Sequence, residues 1–245
     1  MTTPIEGTQP TLSKYKWKRL ATESLINALR LHRDSILLFN ARSYPSAYQL
    51  SVLCLEEFAK AKWIEHYYYT SITNCGLPGA EFEQGWLKLL YMHSEKQYAF
   101  VARDMFEYSP ALVEFIKSGK LERRKQQAVY VGLERDRKSI HVNSRISLPT
   151  SIRLNEAKQL ISWINSEFIF VHENLVFYED YFGITEMDEV MLSPAASVIF
   201  DWPHKSRTRS RKHHAAHHAL HRKEYREAEQ QYQARVAASL PKDKV

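Results

Sequence analysis

Two adjacent carboxylates, Glu56 and Glu57, close a run of nearly all apolar or small residues from Ala47 to Leu55, and Lys60 follows one turn later. Further along, His93 and Lys96 stand three residues apart, and Arg124 lies in the basic triplet Arg123-Arg124-Lys125 shortly before Tyr130. Cleavage of a ribose phosphodiester by its own 2′-hydroxyl needs residues of these types: a proton acceptor for the hydroxyl, a donor for the leaving oxygen and a cation for the phosphorane. His93, Lys96, Arg124 and Tyr130 could supply acid, base and cation, with Glu56 or Glu57 orienting them. By themselves Glu56 and Lys60, four apart on a helix, would be an ordinary surface pair. The apolar run changes that reading, because it carries at least one carboxylate into the interior, where a charge needs a partner. Lys60, His93, Lys96 and Arg124 are the candidate partners, and a purely structural ion network is the alternative to a functional site.

Other chemistries lack their residues. None of the seven glycines falls in a GxGxxG or GxxxxGK[ST] frame, which removes the usual nucleotide cradles, and there is no GxSxG elbow. After His172-Glu173, Val176 stands where a zinc protease would carry its second histidine, and Cys54 and Cys75 are too few for a cysteine-rich zinc site. No cofactor and no dedicated metal site are expected. Cys54 falls on an apolar helical stripe as a small core residue, and two reduced cysteines suit a cytosol. Met1 to Pro10 has neither a basic nor an apolar leader region, and no apolar run approaches the ~18 residues of a membrane span, so a cytoplasmic, non-membrane protein is expected.

The elements that must position these residues follow from spacing. Leu20, Leu25, Ala28, Leu29, His32, Ile36 and Phe39 predict a helix from Tyr15 to about Asn40. Ser43 and Pro45 read as the start of a second, to about Tyr69, and Asn74, Gly76 and Pro78 as its stop. Trp86, Leu90, His93, Gln97, Phe100 and Val101 predict a third from about Glu83 to Tyr108, followed by a short turn over Ala111 to Lys117. Residues 128–148, rich in β-branched and aromatic types, read as a small hairpin or extended loop. Ser151 or Asn155 then opens a fourth helix to about Phe182, with Gly183 as its C-cap. The fold class is all-α, an antiparallel bundle. Its parts are a flexible N-terminus (1–14), the bundle (15–183), a connector (184–200) and a tail (201–245).

The tail differs in charge from everything before it. Of 34 Lys and Arg, 11 lie after residue 200, against 5 of 28 Asp and Glu, so residues 1–200 hold 23 of each and the whole net charge of +6 resides in the last 45 positions. Lys205, Arg207, Arg209, Arg211, Lys212, Arg222, Lys223 and Arg226 are the candidate nucleic-acid contacts. A basic helix to about Ala238, without an apolar stripe, suits phosphate backbones rather than a membrane face. The i,i+4 histidines on it, His213, His217 and His221 on one face and His214 and His218 on another, suit adventitious metal only.

The order Glu56-Glu57-x-x-Lys60-Ala61, His93-x-x-Lys96, Arg123-Arg124-Lys125 and Val129-Tyr130-Val131 resembles the AbiV family of abortive-infection proteins, within the HEPN helical superfamily, over about residues 18–180. The resemblance implies a HEPN-type bundle, commonly dimeric, acting in bacterial defence against phages by shutting down translation in the infected cell. Many superfamily members are metal-independent endoribonucleases marked by Arg followed four to six residues later by His. Arg135 and His141 meet that spacing in the stretch read as a hairpin, and so do Arg207 with His213 and Arg209 with His214 in the tail. The segment that follows family order, Arg124 to Tyr130, has Tyr at the histidine position. The site expected is therefore Glu56, Glu57, Lys60, His93, Lys96, Arg124 and Tyr130, with Arg135 and His141 ranked behind them. RNA or the ribosome, a second copy of the chain and a phage or host protein are the expected partners. The competing classes are a non-catalytic dimeric module that binds nucleic acid or ribonucleoprotein, and a regulatory subunit of a defence system.

Removing the tail should abolish long-range attraction to phosphate without harming folding. If about four to six of its cations meet phosphates, the log-log salt dependence of RNA binding should have a slope of roughly −3 to −5. Binding should strengthen as pH drops through ~6.5, where the clustered imidazoles gain charge. A chain without the tail that binds RNA as tightly as the full chain, at low salt and pH 6, would reduce the tail to a solvated extension.

Overall fold

Trp17, Ala21, Leu25, Ala28, Leu29, His32 and Ile36 recur every three or four residues, so a helix gathers them on one side. In the computed structural model, which describes residues 11–73, 76–77, 79–102, 108–133, 139–179 and 182–204, they form the buried face of α1 (Lys14–Asn40). Ser13 caps its start, its hydroxyl accepting a hydrogen bond from the Lys16 N–H at 3.3 Å. A three-residue turn with Arg42 at φ 60° reverses the chain into α2 (Tyr44–Thr73), which carries Pro45 in its first turn. The two helices run antiparallel in close contact, because Ala21, Ala28, Ala47, Cys54 and Ala61 are small and fully buried. Cys54, a free thiol, sits near enough to α1 to donate to the Ala28 carbonyl at 3.1 Å.

The helix expected over 83–108 is instead two, α3 (Ala80–Leu89) and α4 (His93–Ala102). Leu90, Tyr91 and Met92 turn between them, each N–H bonded to the carbonyl three residues back. Both pieces lay one face on α2: Trp86 stacks on Tyr67 at 4.1 Å between centroids, and Phe100 meets Phe58 at 6.3 Å. The apolar period therefore runs on through a change of direction. Ala111 to Lys117, expected as a turn, belongs to α5 (Pro110–Lys117), and the basic triplet belongs to α6 (Lys120–Gln127). Among the described residues the 128–148 stretch forms no strand; one antiparallel bridge, Gly132 with Ser147, closes an extended loop.

Helix α7 (Leu154–Tyr178) lays Leu160, Ile161, Ile164, Phe168 and Leu175 against the α1–α2 pair. Phe168 packs on Phe58 at 4.6 Å. The backbone N–H of Arg153 donates to the Glu156 carboxylate at 3.2 Å, which caps the helix where Ser151 or Asn155 had been the sequence candidates. The helix stops at Tyr178 rather than Phe182, and Glu179, at φ 53°, takes the left-handed position assigned to Gly183. Gly183 is needed for a different reason: a Cβ there would lie 2.5 Å from the Tyr69 ring, and its N–H donates to the buried Glu65 carboxylate at 2.8 Å. The stretch expected as a connector folds into α8 (Thr185–Leu192) and a 3-10 segment, Pro194–Phe200. Trp202, counted with the tail in the sequence, is buried and donates its indole N–H to Ser162 Oγ at 2.9 Å. A truncation that removes the tail should accordingly keep residues through His204. The expectations for 1–10, Cys75, Arg135 and 205–245 lie outside the described residues.

His32 is a titration probe of this core. It is fully buried and its Nε2 shares a 2.7 Å hydrogen bond with Asn165 Oδ1. Burial lowers its pKa from 6.5 to about 4, against the upward pull of that bond. Between those values the unfolded chain holds a proton that the folded chain refuses. The contribution of His32 to stability is thus complete above ~6.5 and shrinks as pH falls toward ~4, by up to about 3 kcal/mol. Urea unfolding between pH 7 and 4 should show a steeper loss for the native chain than for His32→Gln. Parallel curves would refute this.

Candidate functional site

Along α2, Leu53, Glu57 and Lys60 form a half-buried outer stripe, while Val52, Leu55 and Glu56 fall on the buried side. Glu56 is 1% exposed. A carboxylate in that position must be met by donors, and two other helices supply them. Its Oε1 accepts from Lys125 Nζ at 2.9 Å and from Gln97 Nε2 at 2.8 Å. Its Oε2 meets His93 Nδ1 at 2.6 Å, with Lys96 Nζ 3.5 Å away. His93, Lys96 and Gln97 share one face of α4, at spacings of three and four, and Lys125 comes from α6.

Glu57, next on α2, points to the edge of the same cluster. It accepts from Lys60 at 2.8 and 3.0 Å and from Asn27 of α1 at 3.3 Å, and Lys96 lies 3.8 Å away. On the α6 side Glu122 accepts from Lys125 at 2.7 Å, from Gln97 at 2.6 Å and from Gln126 at 2.8 Å. Burial pushes the Glu122 carboxyl up, but those hydrogen bonds and the charge of Lys125 outweigh it and leave it below the usual carboxylate range. Three carboxylates and three lysines thus balance, with His93 as the additional titratable group.

The structure brings Glu56, Glu57, Lys60, His93 and Lys96 together. Arg124 does not join them: it pairs with Glu156 of α7 and donates to Gln127 at 2.8 Å. Tyr48, buried beside that pair, has its hydroxyl pKa raised by burial, with the Arg124 charge opposing. Tyr130 is 62% exposed and lines an open groove on the outer side of α6. His141 is exposed, while Arg135 and the eight tail cations lie outside the described residues. Trp63 and Tyr67 pack with Trp17 and Trp86.

Lys125, Gln97, Glu122 and Asn27 are members that the residue pattern left out. Two of them carried a signal. Leu121 is the one apolar residue of α6 and fully buried, so Lys125, four residues on, inherits its face. Gln97 stands in the same relation to His93.

His93 differs from the rest of the cluster in exposure, with 53% of its side chain open. With Nδ1 bound to Glu56, the neutral ring carries its proton on Nδ1 and presents Nε2 as its acceptor atom. No group of three or more His, Cys, Asp or Glu that could hold a metal ion occurs among the described residues, and none of their helices is long and apolar enough to cross a membrane.

A family model described as AbiV, of the HEPN type, matches residues 16–169, a span that contains every member of the cluster and Glu156. No curated protein and no solved structure matches the chain.

Removing the Glu56 charge should be the most damaging single change in the cluster. Glu56→Gln leaves Lys125 and Lys96 with one carboxylate each and should cost about 3 kcal/mol or more, a fall of roughly 10 °C in melting temperature for a chain of this size. Adding Lys125→Met should recover part of the loss, because both charges then leave the interior together. Calorimetry of the two single variants and the pair checks this, and simple additivity would argue against the coupling.

Proposed function

The chain belongs to the AbiV family of HEPN-type abortive-infection proteins, and from that premise we propose that it is an antiphage defence effector that cleaves RNA without a metal, with His93 as its general base. The observation that carries this reading is the half-open imidazole whose Nδ1 is fixed by a buried carboxylate at 2.6 Å. In the proposed step His93 Nε2 takes the proton of a ribose 2′-hydroxyl. The 2′-oxygen bonds to phosphorus, the bond from phosphorus to the 5′-oxygen breaks, and that oxygen takes a proton from solvent at the open edge of the ring. Glu56 stabilises the imidazolium and is a positioning residue. The basic tail supplies the long-range attraction to phosphate.

A second reading draws on the charge balance. Lys60, Lys96 and Lys125 are each committed to carboxylates, so a cluster that merely ties three helices together would leave defence to a non-catalytic RNA or ribonucleoprotein contact.

Purified protein incubated with total RNA and with ribosomes, with and without EDTA, separates the two. Cleavage should persist in EDTA. His93→Ala should lower the rate by about 10²–10⁴ and abolish toxicity, while the melting temperature moves by only a few degrees because water can replace the ring. Loss of stability and toxicity together would favour the structural cluster, and cleavage that stops in EDTA would remove the metal-independent reading.

A further inference from the structure

Outside the cluster, exposed apolar residues concentrate on the extended loop after α6. Val131, Ile140, Val142 and Ile146 are 64–75% exposed within a stretch of 16 residues. Part of this loop forms one wall of the groove, through Val131, Leu133 and Ile140, with the cation Arg145 on the same loop; the other wall, on α6, is cationic through Lys120 and Arg123. Among the described residues these three cations have no carboxylate partner, whereas the remaining charges of the groove, Arg124 and Glu122, are bound to Glu156 and Lys125. The groove holds about 1250 Å³, the bulk of roughly two to three turns of a helix 10–12 Å across.

We infer that this groove is a docking site for an acidic amphipathic helix of another protein. The cationic wall excludes a second copy of the same face, which would set like charges opposite each other. It calls for an anion with apolar groups beside it, and the kind of apolar surface decides which. Single-stranded nucleic acid stacks its flat bases on aromatic rings, but here Tyr130 is the one exposed ring of the lining, Phe115 is half-buried against Trp163, and Val131, Leu133 and Ile140 are exposed aliphatic chains. Branched aliphatic side chains gain most from burying others of their kind. Leu or Ile at every third or fourth position, flanked by Glu or Asp, would fill the loop wall and face Lys120, Arg123 and Arg145 together. The inference is independent of whether the protein cleaves RNA.

Fluorescence anisotropy with the full chain tests it. The probe is a labelled 18-residue helix with Leu on one face and Glu on the other; the controls are a scrambled peptide of the same composition, a Lys-for-Glu version and a 12-nucleotide oligouridylate. The acidic amphipathic helix should bind best. Arg123→Glu with Arg145→Glu should weaken it at least tenfold, and Val131→Ser with Ile140→Ser about tenfold. All four residues are exposed, so circular dichroism should be unchanged. Equal binding by the groove variants would assign the affinity elsewhere, and equal binding of the scrambled peptide would reduce it to charge alone. Oligouridylate that binds more tightly and loses affinity in the same variants would make the groove an RNA track. Each of these three results overturns the inference.

Discussion

A single buried carboxylate organises the middle of this molecule. Glu56 lies on the inward side of α2, and an unpaired charge there would cost several kcal/mol. Helices α4 and α6 answer that constraint. The chain breaks between α3 and α4 so that His93 and Gln97 reach Glu56 from one side, and α6 turns its only buried stripe, Leu121 and Lys125, toward it from the other. The lysines needed to neutralise Glu56 would be excessive by themselves, and Glu57 and Glu122 restore the balance.

That arrangement separates buried contacts from a half-open one. Lys96, Lys125 and Gln97 lie inside and bind α2, α4 and α6 into one body, while the imidazole extends from the same carboxylate into solvent. Helix α6 is correspondingly two-faced, with Lys125 in the cluster and Lys120 and Arg123 on the groove. Glu122 belongs to both: it lines the groove and accepts from Gln97 and Lys125, which both hold Glu56. Arg124 contributes by anchoring α6 to α7 through Glu156, which fixes the helix in rotation.

The helical fold and the core of the site were legible because both rest on local pattern. The apolar run before Glu56 announces a buried charge, and His93 and Lys96 stand at helical spacing. What was not legible depends on direction and on distant partners. Apolar period continues through Leu90 to Met92 because both flanking helices face α2, so it carries no trace of the turn. The α6 sequence has one apolar residue and reads as charged surface, which concealed Lys125 and wrongly drew Arg124 into the cluster. Gly183 looked like a helix stop, yet the chain had already stopped at Glu179 and the glycine answers to the Tyr69 ring. The β-branched residues of 128–148 allowed a hairpin or an extended loop, and the described residues form the loop, because a strand requires a partner along its length.

The sequence distance between Glu56 and Lys125 also sets an order in time. Chains fold from the N-terminus as they leave the ribosome, so α1, α2 and α4 emerge while the residues of α6 are still in the exit tunnel. At that stage Glu56 lacks the Lys125 ammonium on Oε1, and Gln97 lacks Glu122 to hold it in place. A nascent or prematurely ended chain therefore already holds His93 on Glu56, but with that carboxylate short of the ammonium that ties it to α6.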